Sequence, residues 1–299
     1  MGEPQHTEAI ALDSRGFDTW DDGRILATLL ASQRCGLDAV QTALPAIARA
    51  AALMAETVRA GGRLIYAGAG TSIRVAVQEG SELPATFGIA DARIAYLIAG
   101  GRAAIFETLA DAEDDVEAGR RDASIGAPGD LLIAVAASGR TPYTCAAAEA
   151  AKSRGAAIVA VVNNSGTDLG RLADIEIGLA SGPEVISGST RLAAGTAQKI
   201  ALNLMSCLAF TRLGAVHDGL MVDVEAGNHK LQARSRNIVM ALTGVDAASA
   251  AEALIAVGHR IKPAVLLLRG ASSAAAADAL LAETQGNLRQ ALARLQTSC

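Results

Sequence analysis

Hydrophobic and polar positions along the chain fall into two textures. Apolar runs without polar alternation at residues 64–67, 92–99, 131–137 and 157–162, with a shorter one at 175–179, have the length of strands covered on both faces. Helical patterns such as 106–121 and 144–154 lie between them. Strands alternating with helices predict a parallel, doubly wound α/β sheet. Upstream, Leu37, Val40, Leu44, Ile47, Ala51, Met54 and Val58 recur every three or four positions and predict a helix with one apolar stripe, ending at Gly61-Gly62. Such a stripe suits either the chain's own core or a dimer seam. Residues 20–30 predict a separate helix capped by Asp18 or Thr19. After Asn237, short Ala/Leu-rich segments are punctuated by Gly244, Gly258, Gly270 and Gly286, with Asp246, Ser273 and Asn287 as caps, and predict a small all-helical region. The expected organisation is an N-terminal helical segment over 1–60, an α/β domain over 61–236 and a helical domain over 237–299.

Ligands in such a sheet bind beyond the carboxyl ends of the strands. There stand Gly68 to Ser72, Ser138-Gly139-Arg140-Thr141 and Asn163-Asn164-Ser165. In the first, two glycines allow a tight turn, and Thr71 and Ser72 then offer hydroxyls and free amides where a helix begins, which suits a phosphate. A dinucleotide loop is disfavoured because Ile73 stands where a third glycine is needed. Each hydroxyl cluster by itself is more often a helix cap or turn; two of them opening helices at equivalent strand ends point to an oxyanion. The polar stretch 182–199, leading into a further helix, carries more polar groups than a plain linker needs.

Composition narrows the partners. A content of 51% hydrophobic and 19% charged residues implies a substantial core, while a net charge of −5 and 3% aromatic residues argue against nucleic acid. The polar start of the chain and the absence of a bilayer-length apolar run predict a cytoplasmic protein with no membrane partner. Cys35, Cys145, Cys207 and Cys299 and the four histidines are scattered, so neither a disulfide framework nor a metal site is expected.

The combination GAGTS, SELPATFG, AEDD, AASGRTPY and GPEVISGSTRLAAGTAQK resembles the N-acetylmuramic acid 6-phosphate etherases of the SIS phosphosugar-binding superfamily. The first and fourth motifs are general to phosphosugar-binding domains; SELPATFG and GPEVISGSTR are similar to stretches peculiar to the etherases. The resemblance implies a three-layer α/β/α sandwich with a five-stranded parallel flavodoxin-like sheet, N-terminal helices, a small C-terminal helical domain, and a homodimer with sites near the subunit interface. It implies loss of the D-lactyl ether from a phosphorylated amino sugar, by elimination and hydration, without a cofactor. It places Glu82 as the acid/base and Glu113 as the second carboxylate. The phosphate or substrate set it implies is Gly70, Thr71, Ser72, Ser138, Gly139, Arg140, Thr141, Glu184, Ser189 and Thr190.

The residues also leave bland readings open: Glu113 among Glu107, Asp111, Asp114, Asp115 and Glu117 as a solvated acidic helix face, and Glu82 as a turn carboxylate before Pro84. The chain departs from the family pattern at Ile10 and Ala11 (usually Arg and Asn), at Ile73 (usually Gly), at Leu83-Pro84-Ala85 (usually Cys-Pro-Pro) and at Ala193 (usually Lys). Lost cations bear on the substrate more than on the reaction type. The alternatives are a non-catalytic phosphosugar sensor and an aldose-ketose isomerase, for which SELPATFG has no expected use.

Overall fold

The computed structural model describes residues 6–11, 14–107, 109 and 111–297, so Cys299 and the first five positions lie outside the described residues. Contacts divide the chain into two compact units, 1–81 with 92–206 and 82–91 with 207–299.

The first unit is built on five parallel strands: β1 (Leu64–Gly68), β2 (Ile94–Ile98), β3 (Leu131–Ala136), β4 (Ala157–Val162) and β5 (Ile175–Gly178). Their order is β2-β1-β3-β4-β5, the flavodoxin-like arrangement. Pairing runs in register from Leu64 opposite Leu131 to Gly68 opposite Val135 between β1 and β3. Every residue of β1 and β3 is buried, as their unbroken apolar runs require. The helices that cover the sheet are α1 (Asp22–Arg59), α2 (Gly70–Phe87), α3 (Val116–Asp122), α4 (Pro142–Ser153), α5 (Asp168–Leu172) and α6 (Ala193–Arg212). The close approach relies on small residues. Ala146, Ala147, Ala148 and Ala151 form the buried face of α4, and a side chain at Gly119 of α3 would meet the Tyr143 carbonyl.

Two expectations are corrected. The two N-terminal helices are one, α1, capped by Asp21, whose carboxylate accepts from the Arg24 amide, and not by Asp18 or Thr19. It runs through Gly36, where a Cβ would lie 2.6 Å from the Ala193 carbonyl oxygen, and through Pro45, which deprives the Gln41 carbonyl of its helical donor. The expected stripe also splits into two faces. Val40, Ile47, Ala51 and Met54 are buried, whereas Leu37 and Leu44 join Leu26 and Leu30 as exposed apolar side chains. The second correction concerns residues 106–121. The helix there is confined to α3, preceded by a 3-10 turn at Ala112–Asp114.

At the amino end of the sheet, Asp130 is buried beneath Arg63. Its carboxylate accepts from the Arg63 amide at 2.8 Å, the Arg63 guanidinium at 2.6 Å and the Ala127 amide at 3.1 Å. Burial pushes its carboxyl upward, but the Arg63 hydrogen bonds and charge, with the Ala127 amide, outweigh burial and hold it below the usual value. A depressed folded-state pKa stabilises in full above the unfolded value of about 3.9 and is lost as pH falls through the folded one. Asp130→Asn should therefore cost about 2–3 kcal/mol in urea melts at pH 7, a figure reduced by the partial exposure of Arg63. The gap to the parent should close as pH falls below the unfolded value and through the lower folded one.

The second unit is mainly helical: α7 (His229–Thr243), α8 (Ala247–Ala256), α9 (Ile261–Leu268), α10 (Ala274–Glu283) and α11 (Leu288–Thr297). Asp246 and Ser273 cap α8 and α10, accepting from the Ser249 and Ala276 amides, and the Asn287 side chain accepts from the Gln290 amide. A two-residue hairpin joins β6 (Val216–His217) to β7 (Leu220–Met221). Its Asp218-Gly219 turn has φ of +49° and +75°, the left-handed pair such hairpins use. Among the described residues no single helix is long and apolar enough to cross a membrane.

Candidate functional site

Winding from β1 goes to one edge through β2 and from β3 to the other, so the carboxyl ends of β1 and β3 flank the switch point of the sheet. A pocket of about 420 Å³ opens there, lined by Glu8, Ala69, Gly70, Thr71, Ser72, Glu113, Asp114, Ala137, Ser138, Arg140, Thr141, Pro142, Gly188 and Thr190. A larger hollow of about 690 Å³ in the second unit contains none of the expected site residues. Position at the switch point, not size, therefore selects the first.

Two helix N-termini supply the floor. Helix α2 starts at Gly70, whose φ of +53° turns the chain off β1, and Ser72 is almost fully buried in its first turn. Helix α4 starts after Thr141, with Pro142 in its first turn, where the missing N–H costs nothing. Between β3 and α4 the Ser138 hydroxyl accepts from the Arg140 amide at 3.1 Å and lies 3.4 Å from the Thr141 hydroxyl. Gly139 makes this turn possible: at φ +64°, a Cβ would sit 2.5 Å from that of Thr167. First-turn amides of a helix have no intrahelical acceptor and carry partial positive charge. Two such ends with hydroxyls at Thr71, Ser72, Ser138 and Thr141 suit an oxyanion. Arg140 is the lining residue with a formal positive charge, and Glu8, Glu113 and Asp114 place carboxylates around the same space.

The pocket thus gathers Gly70, Thr71, Ser72, Glu113, Ser138, Arg140, Thr141 and Thr190 from the expected set. Glu113 belongs to the 3-10 turn, which removes it from any acidic helix face. Glu82, Gly139, Glu184 and Ser189 are not among the lining residues. Glu184 is fully buried, and its two oxygens accept from the Ala193 and Ala194 amides at 3.1 and 2.9 Å, so it caps α6. Glu82 is exposed on α2, ten positions past Ser72, or about 15 Å along the helix.

Asn163 and Asn164, from the third of the expected strand-end clusters, do not line the pocket but hydrogen-bond to segments of the same unit. Asn164 donates to the Thr7 hydroxyl at 2.8 Å and to the Ala137 carbonyl at 2.9 Å and accepts from the Thr7 amide at 3.2 Å, pinning the N-terminal segment that carries Glu8. Asn163 accepts from Gln198 at 2.9 Å and donates to the Leu179 carbonyl at 3.0 Å. Their signal in the sequence is the Asn163-Asn164 pair ending an apolar strand: amides where a plain turn would serve.

The departures lie outside the pocket lining. Ile73 is fully buried, where a Cβ at Gly68 would come within 3.3 Å of its own Cβ. Ala193 is buried at the start of α6 against α1. Ile10 is exposed, and neither it nor Ala11 lines the pocket.

Comparison with known proteins agrees with this geometry. The family model of the SIS domain matches residues 31–163. An N-acetylmuramic acid 6-phosphate etherase of Symbiobacterium thermophilum is 49% identical over 76% of this chain and 76% of its own. One of Deinococcus radiodurans is 43% identical over 98% of this chain and 96% of its own. Among solved structures, a candidate phosphosugar isomerase involved in capsule formation from Bacteroides fragilis superposes with a TM-score of 0.50 at 19% identity, covering 65% of this chain and 94% of that one, a likeness of fold. With identity at this level across nearly the whole length, on a sheet of this order, the chain belongs to the N-acetylmuramic acid 6-phosphate etherase family.

Proposed function

We propose that the chain cleaves the D-lactyl ether of N-acetylmuramic acid 6-phosphate, giving N-acetylglucosamine 6-phosphate and D-lactate. The observation that carries this reading is a neutral hydroxyl-and-amide cradle, from the starts of α2 and α4, with the Glu113 carboxylate in the same pocket. The cradle takes the 6-phosphate. Opening of the sugar ring then makes the C2 proton acidic through the C1 aldehyde, and Glu113 removes it as general base. The electron pair forms the C2–C3 double bond as the C3–O bond breaks. Lactate leaves with a proton from Glu82, which, now ionised, activates the water that adds to C3. The sum consumes one water and no redox equivalent.

Glu82 does not line the pocket of its own chain, so this reading assigns it to the site of a second subunit. Supporting that assembly, Leu30, Leu37 and Leu44 recur every seven residues on α1, and these side chains with Leu26 are 46–65% exposed. A row of leucines of this kind is a seam for another copy. The interior of a cell, where phosphorylated sugars are kept, is the matching location.

Turnover in heavy-oxygen water tests the chemistry. The label should appear at C3 of the sugar product and be absent from lactate, read by mass spectrometry. Label in the lactate would mean direct attack on the lactyl carbon and would end the elimination scheme.

A further inference from the structure

The Glu113 turn hangs from a support that its own residues do not supply. Arg74, two positions after Ser72 on α2, sends its guanidinium to three backbone carbonyls beyond β2. Nε donates to Ile105 at 3.0 Å, and Nη2 donates to Ala104 at 3.0 Å and to Glu107 at 3.1 Å. Ala104 and Ile105 end a single 3-10 turn, Arg102–Ile105, whose final carbonyls have no partner in the turn itself. A planar cation with forked donors satisfies several such oxygens at once, and its charge opposes the negative end of the turn. The held turn and the carboxylate-bearing one share a neighbour, Gly100. Gly100, at φ +81°, lies beneath both, because a Cβ there would stand 3.3 Å from that of Ala104 and 3.1 Å from that of Ala112. Ala112 is the residue before Glu113, and Asp111 before it is held at φ +60°, uncommon for a residue with a side chain.

We propose that Arg74 is a positioning residue for Glu113: by clamping the carbonyls of residues 104, 105 and 107, it fixes the Ala104–Gly100–Ala112 contact and so the place of the Glu113 carboxylate over the phosphate cradle. The inference rests on the assignment of Glu113 as the base at C2. It makes α2 do two things within one turn, binding phosphate through Thr71 and Ser72 and setting the base through Arg74. Phosphate position and base position are thereby referred to the same rigid element, which is what proton removal at a fixed distance from the 6-phosphate requires.

The test compares Arg74→Met and Arg74→Lys in the full chain. Hydrogen exchange by mass spectrometry should show Arg74→Met speeding the amides of residues 102–107 and 111–114, with those of β1 and α4 unchanged, so a global folding defect is recognised separately. Binding of N-acetylglucosamine 6-phosphate should stay within about threefold, while kcat for lactate release falls about ten- to a hundred-fold, as for a misplaced catalytic group. Arg74→Lys, keeping a cation near the same carbonyls, should recover part of the loss. In a Glu113→Gln background, Arg74→Met should add little further loss, because the group it positions is already absent. Unchanged exchange at 111–114, or losses from the two substitutions that multiply independently, would overturn the inference. Hydrogen exchange needs no turnover. A parent chain that releases no lactate would therefore sink the etherase reading, while the clamp is still confirmed or refuted by exchange.

Discussion

Glu113→Gln is expected to lower lactate release by about a hundred- to ten-thousand-fold, the usual loss for a positioned general base. Binding of phosphosugar should survive, because the cradle is made by Thr71, Ser72, Ser138, Thr141 and the starts of two helices, none of which holds Glu113 by a hydrogen bond. The amide matches the acid in shape but cannot take up the C2 proton. Exchange of that proton with heavy water should fall in parallel with turnover. Full exchange with abolished lactate release would move Glu113 from C2 to a later step. Retention of most activity would remove it from the chemistry altogether.

The second prediction concerns Glu82 and is made by mixing subunits. Glu82→Gln alone should reduce turnover to the same extent as Glu113→Gln. If each site takes Glu113 from one chain and Glu82 from its partner, a mixed dimer of the two variants has one site with both changes and one with neither. Equal mixing after reversible dissociation makes half the dimers mixed. About a quarter of parental activity should then return from two inactive preparations. No recovery, with mixed dimers verified by native mass spectrometry, would place both carboxylates in one chain and refute the shared site. The exposed leucines of α1 give the control: charged residues at Leu30 and Leu37 should block recovery by keeping the subunits apart.

Much of this protein is legible in its sequence. The β3 and β4 runs are continuous apolar stretches because both faces of a parallel strand are covered, and a pattern of that kind is read residue by residue from the chain. Gly70 and Gly139 mark the two cradle turns because both need left-handed backbone. Asp218-Gly219 carries an equally local hairpin signal, one absent from the expectations drawn from the chain. The span 106–121 misleads because its alanines, glutamates and arginines are good helix formers, while Asp111, Asp114 and Asp115 are not. A helix there would direct the carbonyls of 105 and 107 to amides four residues on, and Arg74 takes them instead.

What the sequence by itself determined is whatever depends on neighbours along the chain: the alternation of strands and helices, the glycine turns, the caps at Asp246 and Ser273, and hydroxyls at the starts of two helices. Backbone geometry and side-chain period act within a few residues, so local pattern suffices for them. Only the tertiary structure decided how equivalent residues are used. Glu113 opens onto the pocket whereas Glu184, in an equally suggestive motif, is buried as the cap of α6. Val40 and Ile47 face the core whereas Leu37 and Leu44, in the same helical repeat, face outward. These choices turn on which segment arrives beside a residue, Ala193 beside Gly36 or Ala112 beside Gly100, and such arrivals are set by the packing of the whole sheet and its helices, which no window of sequence contains.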